Sequence, residues 1–116
     1  MAKTILIVDD DPVVVKYLTT LFRDNGYDTV TAGTGLEGEE VVKTMTPDLI
    51  TLDLEMPEEW GSRFYRRMTR EDRLKDVPVI VISGMAGRHA IKKAVAYISK
   101  PFDPDKLLGI VKKTIG

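Results

Sequence analysis

The chain has 116 residues, 17 basic and 18 acidic side chains for a formal net charge of −1, 43% hydrophobic residues and no cysteine. That length fits one domain around one core, and the even charge balance gives no global pull toward nucleic acid or an anionic membrane surface. The missing cysteines remove disulfides, thiolate nucleophiles and cysteine-ligated zinc. The apolar run from Ile5 to Val8 is too short for a signal peptide or a membrane span, so a cytoplasmic protein is the default expectation.

Thr4 to Val8 is a β-branched run that predicts a buried strand, stopped by Asp9-Asp10-Asp11-Pro12. Asp11 has the place of an N-cap with Pro12 as first helical residue, and Val15, Leu18, Leu21 and Phe22 recur at helical spacing until Asn25-Gly26. Tyr27 to Ala32 predicts a second strand. Thr34-Gly35-Leu36-Glu37 then has the spacing of a capping box, opening a helix toward Met45 that Pro47 ends. Asp48 to Asp53 predicts a third strand, apolar until its last residue. After Pro57 and Gly61 a helix turns Phe64 and Met68 inward and sets Arg63, Arg66, Arg67 and Arg70 on the opposite face, read as a solvated exterior. Val77 to Ile82 and Val95 to Ile98 predict the fourth and fifth strands. Asp103-Pro104 repeats the first helix cap, and Leu107, Leu108, Val111 and Ile115 form the inner face of a last helix.

This alternation implies one α/β domain over residues 1–116: a doubly wound five-stranded parallel sheet in the flavodoxin-like order 2-1-3-4-5. In that order the carboxyl ends of the strands open on one edge, where Asp9, Asp10, Asp53, Ser83 and Lys100 converge. Three crowded carboxylates repel one another and need a divalent cation or protonation to coexist, and an all-oxygen donor set suits Mg²⁺. With Mg²⁺ and Lys100 neutralising the pocket, one carboxylate can attack phosphorus and form an aspartyl phosphate. The Ser83 hydroxyl and the backbone N–H groups of Leu54 or Gly84 can then receive phosphoryl oxygens.

The segments Ile5-Leu6-Ile7-Val8-Asp9-Asp10-Asp11-Pro12, Leu52-Asp53-Leu54-Glu55-Met56-Pro57 with Gly61, Ser83-Gly84 and Lys100-Pro101-Phe102 together resemble the response-regulator receiver domain along the whole chain. The resemblance implies that Asp53 is the phosphoacceptor, that Asp9 and Asp10 hold Mg²⁺ with Asp53 and the Glu55 carbonyl, and that Ser83 and Lys100 take the hydroxyl and lysine positions. It further implies that Tyr97 is an aromatic switch coupled to Ser83, that the Lys100-Pro101 bond is cis, and that a sensor histidine kinase or phosphotransfer protein donates the phosphoryl group. An output partner is implied without being identified, and no nucleic acid or membrane is contacted directly.

Two features depart from the family pattern. Trp60, preceded by Glu58 and Glu59, stands where an acidic residue is usual, either covering the core edge or anchoring a partner. From Ser83 to Lys100 is only 17 positions, which predicts a shortened fourth helix within Met85 to Ala94, starting near Arg88, with His89 exposed. Competing readings are an Asp-x-Asp phosphohydrolase using Asp9 and Asp11, a flavin-binding flavodoxin, which the acidic first loop disfavours, and a pseudo-receiver that binds partners without phosphorylation.

Overall fold

Five short segments pair in parallel, β1 (Thr4–Val8), β2 (Asp28–Ala32), β3 (Leu49–Leu52), β4 (Val79–Ser83) and β5 (Ala96–Ser99), in the order β2-β1-β3-β4-β5. The structure is a computed structural model that describes residues 2–55, 60–84 and 94–116, with Trp60 described in its backbone alone. Its helices are α1 (Pro12–Asp24), α2 (Gly35–Thr44), α3 (Trp60–Met68) and α4 (Pro104–Ile115). The predicted short helix within Met85 to Ala94, the exposure of His89, and the roles of Trp60, Glu58 and Glu59 fall outside what is described.

The two-residue period of β1 divides the core. Leu6 and Val8 join Ile50, Leu52 and Val81 under Phe64 and Met68 of α3 and Val42 of α2, whereas Ile5 and Ile7 join Leu49, Ile80 and Ile82 under Leu18 and Phe22 of α1 and Leu107 and Val111 of α4. A sheet covered on both faces explains why the inner strands read as continuous apolar runs. Phe22 and Phe64 are fully buried, one on each face, and truncating either to Ala should cost about 3–5 kcal/mol.

The helix starts follow from their caps. Asp11 Oδ1 accepts from the Val13 N–H at 2.9 Å, and Asp103 Oδ1 accepts from the Asp105 N–H at 2.9 Å. Thr34 Oγ1 accepts from the Glu37 N–H at 3.0 Å as its spacing predicts, but the Glu37 carboxylate accepts from the Gly33 N–H at 2.8 Å rather than from the cap residue itself. At the other end of α2, Arg73 donates to the carbonyls of Val42 and Met45 and to Thr46 Oγ1, satisfying terminal acceptors that the helix cannot.

Several strands begin one or two residues later than predicted. Tyr27 donates to the Phe22 carbonyl as part of the α1 exit, Asp48 accepts from the Thr4 N–H through its side chain at 2.7 Å, and β4 pairing starts at Val79, after Pro78 has accepted from Ile50. The arginines of α3 are exposed as expected. Arg67 nonetheless reaches back to α2, with Nε 3.1 Å from Oε1 of the nearly buried Glu39.

Candidate functional site

β1 and β3 are adjacent, yet their connections leave in different directions, so a crevice opens beyond their carboxyl ends. The first residue past each strand is an aspartate. Asp9 donates its N–H to the Ala32 carbonyl at 3.1 Å and Asp53 donates its N–H to the Val8 carbonyl at 2.9 Å, so ladder bonds hold both backbones in place. Each side chain is 3% exposed. Asp10 points to the open side, and one carboxylate oxygen each from Asp9, Asp10 and Asp53 lies within 4.8 Å of the others.

Lys100 reaches this cluster from the end of β5, its backbone fixed by donation to the Ser83 carbonyl at 3.1 Å. Its Nζ donates to Asp9 Oδ2 at 2.9 Å and lies 3.4 Å from Asp53 Oδ2. The following Lys100-Pro101 peptide is cis, as the motif predicts. Asp9 Oδ1 accepts from the Asp11 N–H and Asp53 Oδ1 from the Glu55 N–H, both at 2.9 Å, so each buried carboxylate has one oxygen tied to its own turn and one facing Lys100.

Burial pushes the Asp53 carboxyl above the usual carboxylate range, and the neighbouring Asp9 charge adds to this, against the lowering effects of the Glu55 N–H and Lys100. For Lys100, burial works to lower the pKa, but the hydrogen bond and charge of Asp9, followed by those of Asp53, outweigh it and raise it. Asp53 is therefore costly to ionise, and Lys100 stays cationic.

Gly61, in the first turn of α3, packs against the chain just after the site. A Cβ there would stand 2.5 Å from the Asp53 carbonyl oxygen and 3.0 Å from Leu54 Cα. The glycine that follows the Met56-Pro57 segment is thus required by close approach of two backbones.

Ser83 ends β4 and is buried. Its hydroxyl donates to Glu55 Oε1 at 3.1 Å, so a fourth carboxylate belongs to the site. The sequence reading gave Glu55 a backbone role alone, because the direction of a side chain two residues past a strand end has no periodic signal. Tyr97, paired in register with Val81, lies on the same sheet face as Ser83 and packs against the α2–α3 core. Its hydroxyl is buried and has no hydrogen-bond partner among the described residues. Burial raises the pKa of nearby Tyr65.

Asp11 does not join the cluster. Its side chain is exposed and caps α1, so the Asp9 and Asp11 pair needed by the phosphohydrolase reading is not assembled.

The response regulator receiver domain family matches residues 5–112. The chain is 38% identical to Protein Rrf1 of Nitratidesulfovibrio vulgaris over 99% of its own length and 84% of that protein's. It is 29% identical to the polar-differentiation response regulator DivK of Brucella anthropi over 100% of its own length and 98% of that protein's. Its fold also superposes, with a TM-score of 0.89 at 23% identity over 100% of this chain and 99% of the other, on the receiver domain of a Pseudomonas aeruginosa sensor histidine kinase solved with a magnesium ion in its active-site cleft. The sheet order, the crevice and the matched length together place this chain in the response regulator receiver domain family of two-component signalling.

Proposed function

We propose that this domain accepts a phosphoryl group on Asp53 and relays the resulting change to a partner. The observation that carries this reading is the buried Asp53 carboxylate beside Asp9, Asp10 and the Lys100 ammonium at the mouth of a parallel sheet. Asp53 Oδ2 attacks phosphorus of a phosphohistidine or acyl phosphate donor. The new O–P bond forms as the donor's bond to phosphorus breaks, with the electron pair leaving on the donor nitrogen or oxygen, which takes up a proton where its basicity requires. Lys100 holds one phosphoryl oxygen and the end of β4 receives another.

Asp9, Asp10 and Asp53, with the Glu55 carbonyl, would hold Mg²⁺. The donor set fits, since clustered carboxylate oxygens facing one lysine among the described residues leave an excess of negative charge that a hard dication offsets. When bound, the metal supplies charge neutralisation at the phosphoryl oxygens. Ser83 and Tyr97 are the switch pair, one at the phosphoryl site and one on the same sheet face below it.

The phosphoryl donor, a sensor histidine kinase or phosphotransfer protein, has a landing surface beside the mouth. α1 starts directly after the aspartates and exposes Val13, 74% accessible, and Tyr17, 48% accessible, along an apolar groove shared with Pro12, Lys16, Thr20 and Leu21. Among the described residues no helix is long and apolar enough to cross a membrane, and a cytoplasmic location suits such a donor.

Intact mass after incubation with acetyl phosphate and Mg²⁺ tests the reading. One added phosphoryl group per chain, absent in Asp53→Asn and removed by alkaline hydroxylamine, is the expected result. Labelling that survives in Asp53→Asn overturns it, and turnover of the donor with no stoichiometric adduct favours a hydrolase.

A further inference from the structure

We infer that the Glu55 carboxylate is a resident placeholder for the phosphoryl group, occupying the Ser83 and Gly84 side of the pocket until phosphorylation displaces it. This rests on the phospho-accepting reading and adds a regulatory element to that same site. The Glu55 backbone is tied to Asp53 through its N–H, and its side chain crosses the crevice to the end of β4. There Oε1 accepts from the Ser83 hydroxyl at 3.1 Å. The two carboxylate oxygens lie 3.1 and 3.3 Å from where a Cβ on Gly84 would stand.

An anionic group with two oxygens against the end of β4 is what an aspartyl phosphate on Asp53 would also present. The two cannot share the place. A serine hydroxyl has one proton to donate, so while it serves Glu55 it cannot serve a phosphoryl oxygen. Gly84 leaves this seat open, since a Cβ there would press on both carboxylate oxygens and the Glu55 side chain would have to shift by a few tenths of an ångström. Charge opposes sharing as well: Asp9, Asp10, Asp53 and Glu55 face the single ammonium of Lys100 among the described residues, and an incoming phosphoryl dianion meets Glu55 as a like charge. Displacing Glu55 removes one acceptor of the Ser83 hydroxyl and puts a phosphoryl oxygen in its place, coupling modification to movement at the end of β4.

Two measurements on the unphosphorylated and phosphorylated protein decide the matter. In unphosphorylated, ¹³C-glutamate-labelled protein the Glu55 carboxyl resonance should shift in Ser83→Ala, because its donor is gone. An unmoved resonance overturns the placeholder whatever the phosphorylation chemistry. In acetyl phosphate with Mg²⁺, Glu55→Ala should be labelled roughly fivefold to tenfold faster than wild type, the order expected for removing one nearby like charge in a partly hydrated site. Glu55→Gln keeps an acceptor for Ser83 without the charge and should fall between the two. All three proteins should melt at similar temperatures, which separates this role from a structural one. Equal labelling rates in wild type and Glu55→Ala overturn the placeholder while leaving Asp53 as phosphoacceptor, whereas absence of label in every variant overturns both.

Discussion

Lys100 Nζ stands 2.9 Å from Asp9 Oδ2, closer than its 3.4 Å approach to Asp53 Oδ2. In the unphosphorylated protein the lysine therefore belongs first to Asp9, and Asp53 shares it. That arrangement leaves Asp53 under-compensated, consistent with its raised pKa, and keeps an ammonium within reach of whatever group Asp53 acquires.

Lys100→Met should thus weaken the fold as well as the chemistry. Removing one partner of a buried pair typically costs 3–5 kcal/mol, and the lysine's 22% side-chain exposure reduces this to roughly 2 kcal/mol. Because the folded state raises the lysine pKa above its ordinary 10.5, the folded protein holds that proton more tightly than the unfolded chain. The stabilisation is fully present below pH 10.5 and is lost as pH rises through the higher folded value. Urea unfolding of wild type and Lys100→Met should show a constant gap between pH 7 and pH 9. A gap that closes within that interval would mean that the ammonium is not held by the carboxylates.

Asp53→Asn should raise the melting temperature of the metal-free protein at neutral pH. The folded state raises the Asp53 pKa above 3.8, so between that value and the folded one the folded protein binds more protons than the unfolded chain, and stability falls as pH rises. Above the window the full cost of ionising a desolvated carboxylate beside Asp9 remains, and asparagine removes it. Melts in chelator from pH 7 downward should show the advantage of Asp53→Asn shrinking as the wild-type carboxyl gains its proton. A clear loss of stability in Asp53→Asn at pH 7 would count against the crowded-acid geometry.

Much of this arrangement is legible in the sequence for a physical reason. Buried parallel strands demand uninterrupted apolar runs, and Asp11-Pro12 and Asp103-Pro104 punctuate the chain where the backbone must turn into a helix. Once the strand order is inferred, Asp9, Asp10, Asp53, Ser83 and Lys100 fall on one edge without further information. Contacts set by side-chain direction over long sequence separations are not legible in this way. Nothing in the local pattern says that Arg73 closes α2, that Arg67 reaches Glu39, or that the exposed Glu55 turns toward Ser83. The capping box erred by one residue for a similar reason, since the Glu37 side chain is long enough to reach either Gly33 or Thr34 and the loop conformation decides between them.

Gly61→Ala should destabilise the fold by roughly 2 kcal/mol, within the range of overpacking substitutions, even though alanine is the better helix former. The three atoms nearest to an added methyl are all backbone, the Asp53 carbonyl oxygen and carbon and Leu54 Cα, so rotating a side chain cannot relieve the closest contacts and α3 must retreat from the end of β3. That retreat would also move Asp53 and slow its phosphorylation. Chemical denaturation and acetyl phosphate labelling check the two consequences together, and an alanine variant as stable as wild type would show that α3 does not approach this closely.

Tyr97→Phe should leave the unphosphorylated fold as stable as wild type or slightly more so, while weakening its response to phosphorylation. The Tyr97 ring packs against the α2–α3 core, but its hydroxyl is buried without a hydrogen-bond partner among the described residues, and such a group costs about 1–3 kcal/mol. Deleting the oxygen keeps the ring contacts and removes that penalty, so urea unfolding should give a gain of up to about 1 kcal/mol once the small void left behind is counted. The unsatisfied hydroxyl gives Tyr97 a reason to respond when the end of β4 rearranges, because any newly exposed acceptor or water becomes its partner. If Ser83 turns toward a phosphoryl group, a tyrosine should therefore change its environment more than a phenylalanine, which gains nothing by moving. Amide exchange along β4 and β5, with and without the acyl phosphate, reads this directly: a phosphorylation-dependent change in wild type that is reduced in Tyr97→Phe is expected. A variant that loses more than about 1 kcal/mol of stability, beyond the net cost of one ordinary hydrogen bond, would mean that the hydroxyl is already satisfied and that the ring position is structural.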